Sequence, residues 1–239
     1  MRRERWGGLD VVITGGTDRE GGGSGPVVVL LHGFGAPGDD LVSLWRMLEV
    51  PAEVRFVFPA APLALGHEFA GGRAWWPIDV DALQRDLAAG RTRSRADEMP
   101  EGLDHARSLA TVLLDDVERE LAVPAERIVL GGFSQGAMLS CELAFRTQRA
   151  LAGLVLLSGT LVAARAWRPG MPARRGLRVF QSHGRMDPLL PYEMAEVLRD
   201  ELTGAGMDVS FQPFMGGHEI PFGVLTRLAR WLTETTSAR

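Results

Sequence analysis

The chain has 239 residues, 46% hydrophobic and 23% charged, with a net charge of −4; this suits one large α/β domain and gives no electrostatic reason to expect nucleic acid or an anionic membrane as partner. All 26 basic residues are arginine, and the lack of lysine excludes a Walker-type phosphate lysine, a pyridoxal Schiff base and a Ser-x-x-Lys pair. Cys141 is the only cysteine, which excludes a disulfide framework and a thiolate metal cluster.

In chain order, "LDVVIT" (9–14) predicts a short strand, and "GGTDREGGGSGP" a turn-rich connection. "VVVLL" (27–31) is apolar without alternation, as a strand covered on both faces requires. Similar runs follow at 54–58, 127–132, 151–158, 177–182 and 209–214. In "GLDHARSLATVLLDDVERELAV" the residues Leu103, Ala106, Leu109, Leu113, Val117 and Leu121 step by three and four, one stripe of a helix. Residues 135–148, 191–204 and 221–235 also read as helices, with Pro191 and Pro221 at their first turns. The segment 79–100, with Arg91, Arg93 and Arg95 close to Asp97 and Glu98, breaks the alternation and reads as a surface excursion or a lid. Strands alternating with helices predict a single α/β domain over 1–239, a mostly parallel central sheet with helices on both faces. No apolar run reaches signal-peptide or membrane-span length, so a cytoplasmic protein without stable membrane insertion is expected.

Gly132-Phe133-Ser134-Gln135-Gly136 is G-x-S-x-G between a strand and a helix. A serine on such a tight turn stands above the carboxyl edge of the sheet, over a helix N-terminus that favours developing negative charge. A hydroxyl needs a base. His218, in "FMGGHEIP", follows the last strand on a glycine-rich loop that can reach the serine. His105 falls on the polar side of the long helix, and His67 lies in a loop without a catalytic signature. Asp187, in "QSHGRMDPLLP", follows the strand 177–182 and supplies the acid that orients the base. The order Ser134, Asp187, His218 is that of α/β-hydrolases.

Gly33, Gly35 and Gly38 also spell G-x-G-x-x-G after a strand, the spacing of a dinucleotide cradle. The second strand, however, ends "FVFPAAPLAL", with proline and alanine where a ribose-binding acid should stand, and Pro37 removes an N–H from the loop. "HGFG" instead suits an oxyanion loop, with the N–H groups of Phe34 and Gln135 as donors and His32 as a structural hydrogen-bonder beneath it.

"LLHGFGAPGDDL", "AWWPID", "RIVLGGFSQGAMLS", "LAGLVLLSG", "SHGRMDPLLP" and "GGHEIP" occur in the order and at the spacing of the phospholipase/carboxylesterase family of α/β-hydrolases, which the chain resembles from about Val27 to Leu232. The resemblance implies hydrolysis of a small-molecule ester or thioester through an acyl-serine, without metal or organic cofactor. It carries Ser134, Asp187 and His218 as catalytic triad and Phe34 and Gln135 as oxyanion donors. Ala36 departs from it, since many relatives have aspartate there, and 79–100 is longer and richer in arginine than in the eukaryotic thioesterases. Leu63, Leu65, Trp75, Trp76, Leu189 and Met215 are candidates for the acyl pocket, and each also fits plain core packing. Short- to medium-chain esters suit such an apolar site; a lysophospholipase or acyl-protein thioesterase is the alternative. A non-catalytic binding module and a nucleotide-dependent oxidoreductase are the readings from other classes. Monomer and homodimer both fit the sequence.

Overall fold

The computed structural model describes residues 1–89 and 96–237. Its strands are β1 (Arg2–Trp6), β2 (Leu9–Gly16), β3 (Glu20–Gly22), β4 (Val27–Leu31), β5 (Arg55–Pro59), β6 (Leu63–Ala64), β7 (Arg73–Ala74), β8 (Ile128–Phe133), β9 (Gly153–Leu157), β10 (Arg178–Gly184) and β11 (Asp208–Phe214). Its helices are α1 (Leu44–Met47), α2 (Val80–Ala88), α3 (Leu103–Glu120), α4 (Gln135–Arg146), α5 (Ala164–Trp167), α6 (Tyr192–Gly204) and α7 (Phe222–Ser237), with short 3-10 turns between them.

The apolar runs become the middle of one sheet. All five residues of β4 are buried. Val27, Val29 and Leu31 face a core shared with α3, α4, α5 and α6, while Val28 and Leu30 face a second core under α1 and α7. Side chains alternate between the faces of a strand, so only a run without alternation serves both layers. Among the described residues nine strands join in the order β1-β2-β5-β4-β8-β9-β10-β11, with β3 beside β2. From β5 to β11 every neighbouring pair is parallel, whereas β1 and β2 add antiparallel pairs at one edge. The ends of β4, β8, β10 and β11 therefore share the carboxyl edge, where open α/β sheets bind ligands.

Four strands were not expected: β1, β3 and the two-residue β6 and β7, which pair with each other apart from the main sheet. β1 reads RRERW, exposed or half-buried until Trp6, which enters the core. β3 is only three residues long and pairs with β2 where its register shifts at Gly15 and Gly16. The segment 79–100 holds α2, which the expected surface excursion did not foresee. Its far end is tied down, because Ala163 N–H donates to Glu98 O (2.9 Å) and Ala164 N–H to Ala96 O (2.7 Å). Arg91, Arg93 and Arg95 lie outside the described residues.

Helix α4 starts directly after Ser134 and runs within the core shared with α3 and α5, buried from Gln135 to Phe145. Midway, the fully buried Glu142 carboxyl accepts a hydrogen bond from Trp167 Nε1–H (2.6 Å) and one from Arg107. This network locks α4 to α3 and α5. Trp167→Phe keeps an aromatic but smaller ring and removes one donor, leaving a buried oxygen short of a partner. Its unfolding free energy, read by urea titration, should fall by about 1–3 kcal/mol; an unchanged value would show that this bond does not anchor α4.

Candidate active site

Ser134 lies between β8 and α4 with φ 54° and ψ −116°. Positive φ is strained for serine, at a cost of about 1–3 kcal/mol, and persists only where its surroundings hold it. Here Ser134 N–H donates to Leu157 O at the end of β9 (2.8 Å), and Ser134 O accepts Met138 N–H within α4 (3.1 Å). Gly136 allows the close approach beneath: a Cβ there would lie 2.0 Å from Leu31 O. The start of α4 thus touches the end of β4 backbone to backbone.

Asp187 and His218 come together from the loops after β10 and β11. His218 Nδ1–H donates to Asp187 Oδ2 at 2.7 Å. The other carboxylate oxygen, Oδ1, accepts the N–H groups of Leu189 and Leu190, each at 2.9 Å. The two loops are joined directly, since Met186 N–H donates to Gly216 O (3.0 Å) and Arg185 N–H to Phe214 O (2.9 Å). Gly184 makes the seam possible, for a Cβ on it would lie 2.1 Å from Gly217 O. The His218 ring stands 4.8 Å from that of Phe133, the residue before Ser134, which places the imidazole beside the serine turn. Burial raises the Asp187 pKa, but the hydrogen bonds from His218, Leu190 and Leu189 outweigh it and hold the carboxyl below its ordinary value. An ionised Asp187 accepting from Nδ1 leaves His218 Nε2 as the basic nitrogen.

The four other histidines have separate places. His67 and His105 are exposed. His32 is buried under the glycine loop, where its Nε2 accepts Ala61 N–H (2.9 Å) and its Nδ1–H donates to Gly33 O (2.7 Å). His183, missed in the sequence, is fully buried behind the acid; its Nε2–H donates to Leu190 O (2.8 Å) and lies 3.4 Å from Asp187 Oδ2. Burial lowers the pKa of both His32 and His183.

The glycine loop reaches the serine. A Cβ on Gly33 would come within 3.3 Å of Ser134 Cβ. Among the described residues no protein acceptor takes the Phe34 N–H, and the N–H of Gln135 belongs to the first turn of α4, where helix donors have no intrahelical partner. The Gln135 side chain, buried at 1% exposure, is turned to Trp75 and Trp76 instead of the cleft. The candidate pocket residues divide. Leu63 (37% exposed), Leu189 (40%) and Met215 (74%) present apolar surface, and Leu65 is half-buried, whereas Trp75 (1%) and Trp76 (3%) lie in the core. Tryptophans in a loop sequence carry no sign of which side they face.

With this geometry in place, the comparisons with known proteins decide the family. The sequence profile of the phospholipase/carboxylesterase family matches residues 20–236. The chain belongs to that family. Acyl-protein thioesterase 1 of Neurospora crassa is 29% identical over 215 residues, 87% of this chain and 85% of that protein. Acyl-protein thioesterase 1 of Gibberella zeae is 30% identical over 208 residues, 80% and 82% of the two chains. The crystal structure of esterase PE8 superposes with a TM-score of 0.79 at 26% identity, covering 95% of this chain and 99% of that one. The carboxylesterase of Bacillus cereus, 22% identical, shares the fold at a TM-score of 0.69 over 95% and 94%. The protein is thus an α/β-hydrolase of an ester-hydrolysing family. Among the described residues no helix is long and apolar enough to cross a membrane.

Burial lowers the pKa of His32 and His183 on folding, so just below their unfolded value, about 6.5, the unfolded chain binds more protons than the folded one. Their contribution to stability is complete above that pH and is lost as the pH falls. Thermal unfolding should therefore drop in temperature from pH 7 to pH 5, and His183→Gln, which keeps a donor for Leu190 O, should show a shallower drop. Equal drops in the two proteins would remove His183 from this account.

Proposed function

We propose that the chain is a serine esterase for short- to medium-chain carboxylic esters, with Ser134 as nucleophile, His218 as general base and acid, and Asp187 as the group that orients it. The observation that carries this reading is the strained Ser134 turn at the head of α4 beside the hydrogen-bonded His218–Asp187 pair. His218 Nε2 takes the hydroxyl proton as Ser134 Oγ attacks the acyl carbonyl carbon. The N–H groups of Phe34 and Gln135 receive the oxyanion, a contribution of about 3 kcal/mol for each donor. Collapse of the tetrahedral intermediate breaks the bond to the alcohol or thiol, which leaves with the proton from His218. Water then repeats the sequence and frees the acid, the serine and the base. No step requires a metal or organic cofactor.

Exposed Leu63, Leu189 and Met215 supply apolar surface for the acyl chain, and buried Trp75 and Trp76 support it from below. Lysophospholipase and acyl-protein thioesterase activity remain the second reading, favoured by the two thioesterase relatives. A single catalytic domain is supported by one sheet that gathers strands from Arg2 to Phe214. A cytoplasmic site of action is supported by the single buried thiol, Cys141, whose pKa burial pushes upward.

Hydrolysis of p-nitrophenyl esters from C2 to C12 should show a maximum at short or medium length, and Ser134→Ala should reduce kcat at least about a thousandfold with its circular dichroism unchanged. Equal rates in both folded proteins would overturn the nucleophile assignment and leave a binding module as the better reading.

A further inference from the structure

The two oxyanion donors sit on different elements, Phe34 on the loop after β4 and Gln135 on α4, and their separation decides how well they hold one oxygen atom. We propose that the Gln135 side chain is a positioning residue that fixes this separation through Trp75 and His32; the proposal rests on the serine-esterase reading above.

Both polar atoms of the amide take part in this linkage. Trp75 N–H donates to Gln135 Oε1 at 2.8 Å, and Gln135 Nε2–H donates to Trp76 O at 2.9 Å. A backbone N–H only donates and a carbonyl only accepts, so the orientation of the amide follows from its partners. An apolar side chain of similar size would fill the same space without the cost of burying a polar group, yet here an amide stands at 1% exposure.

From Trp75 the linkage continues to the loop. Its indole Nε1–H donates to His32 O at 2.9 Å. The His32 ring, held by Ala61 N–H at Nε2, donates from Nδ1 to Gly33 O at 2.7 Å. That carbonyl and the N–H of Phe34 belong to one peptide unit. The peptide bond between Gly33 and Phe34 is trans, so fixing the direction of Gly33 C=O fixes the Phe34 N–H in the opposite direction. The strand beside this path adds a second brace, with Gly35 N–H on Arg73 O (2.9 Å) and Arg73 N–H on Ala36 O (2.8 Å). Gln135 thus provides one donor from its backbone and sets the aim of the other from its side chain.

The test compares Gln135→Met, Trp75→Phe and the double variant. The readouts are kcat and KM on the best p-nitrophenyl ester, and affinity for a trifluoromethyl ketone of matching chain length, whose serine adduct carries the oxyanion. Gln135→Met should lower kcat about 10- to 100-fold and weaken the ketone by a similar factor, with KM changed by no more than about twofold. Trp75→Phe, which keeps an aromatic but smaller ring and removes the indole donor, is expected to give a smaller loss with the same signature. The double variant should be little worse than Gln135→Met, since both substitutions cut one linkage. Unchanged kcat in a folded Gln135→Met, or a loss of kcat without loss of ketone affinity, would overturn the proposal. Losses that multiply in the double variant would overturn it as well. If Gln135→Met does not fold, undiminished ketone affinity in Trp75→Phe decides against it. Full activity in Ser134→Ala would strike the esterase reading itself, a result distinct from any of these.

Discussion

Ser134 occupies a backbone conformation that serine avoids, and much of the surrounding structure exists to hold it there. The strain of about 1–3 kcal/mol is distributed over a large, well-packed body. One bond ties the serine N–H to the end of β9, α4 continues from its carbonyl, and backbone touches backbone where Gly136 meets Leu31. The buried strands β4, β8 and β9 supply the rigidity, because none of them can move without disturbing both cores. The result is a serine turn at the carboxyl edge, next to the two loops that carry Asp187 and His218.

The histidines show how one residue type takes different roles through its surroundings. His218 is partly exposed and bonded to a carboxylate, an arrangement that keeps Nε2 free for a proton. His32 and His183 are enclosed, and burial lowers their pKa; both spend their N–H on backbone carbonyls. Asp187 is ionised although desolvation opposes it, because three donors converge on its two oxygens. The ionised carboxylate at this site is therefore fixed by its donors, and His32 and His183 serve as scaffolding.

Much of this arrangement is legible in the residue order. The central strands announce themselves as unbroken apolar runs, and their alternation with amphipathic helices leads to the parallel sheet. Ser134, Asp187 and His218 stand out because each is flanked by glycine or proline at a strand end. β1 is not legible: charged residues form it, and backbone pairing with β2 and the burial of Trp6 take the place of any side-chain pattern. β3 is equally silent, a glycine-rich triplet shaped by its neighbour. Trp75 and Trp76 read as pocket or core with equal ease, and only tertiary packing places them in the core. The part of Gln135 that sequence points to is its backbone N–H, whereas its side chain finds partners about 60 residues earlier in the chain, a relation no local pattern expresses.

The most direct measurement is labelling by a fluorophosphonate, followed by peptide mass spectrometry. The account predicts one adduct, on Ser134, formed rapidly in the wild type, slowly in His218→Ala and absent from Ser134→Ala. Labelling at another residue, or equal rates with and without His218, would contradict the claim that this turn and its neighbouring histidine make the serine a nucleophile.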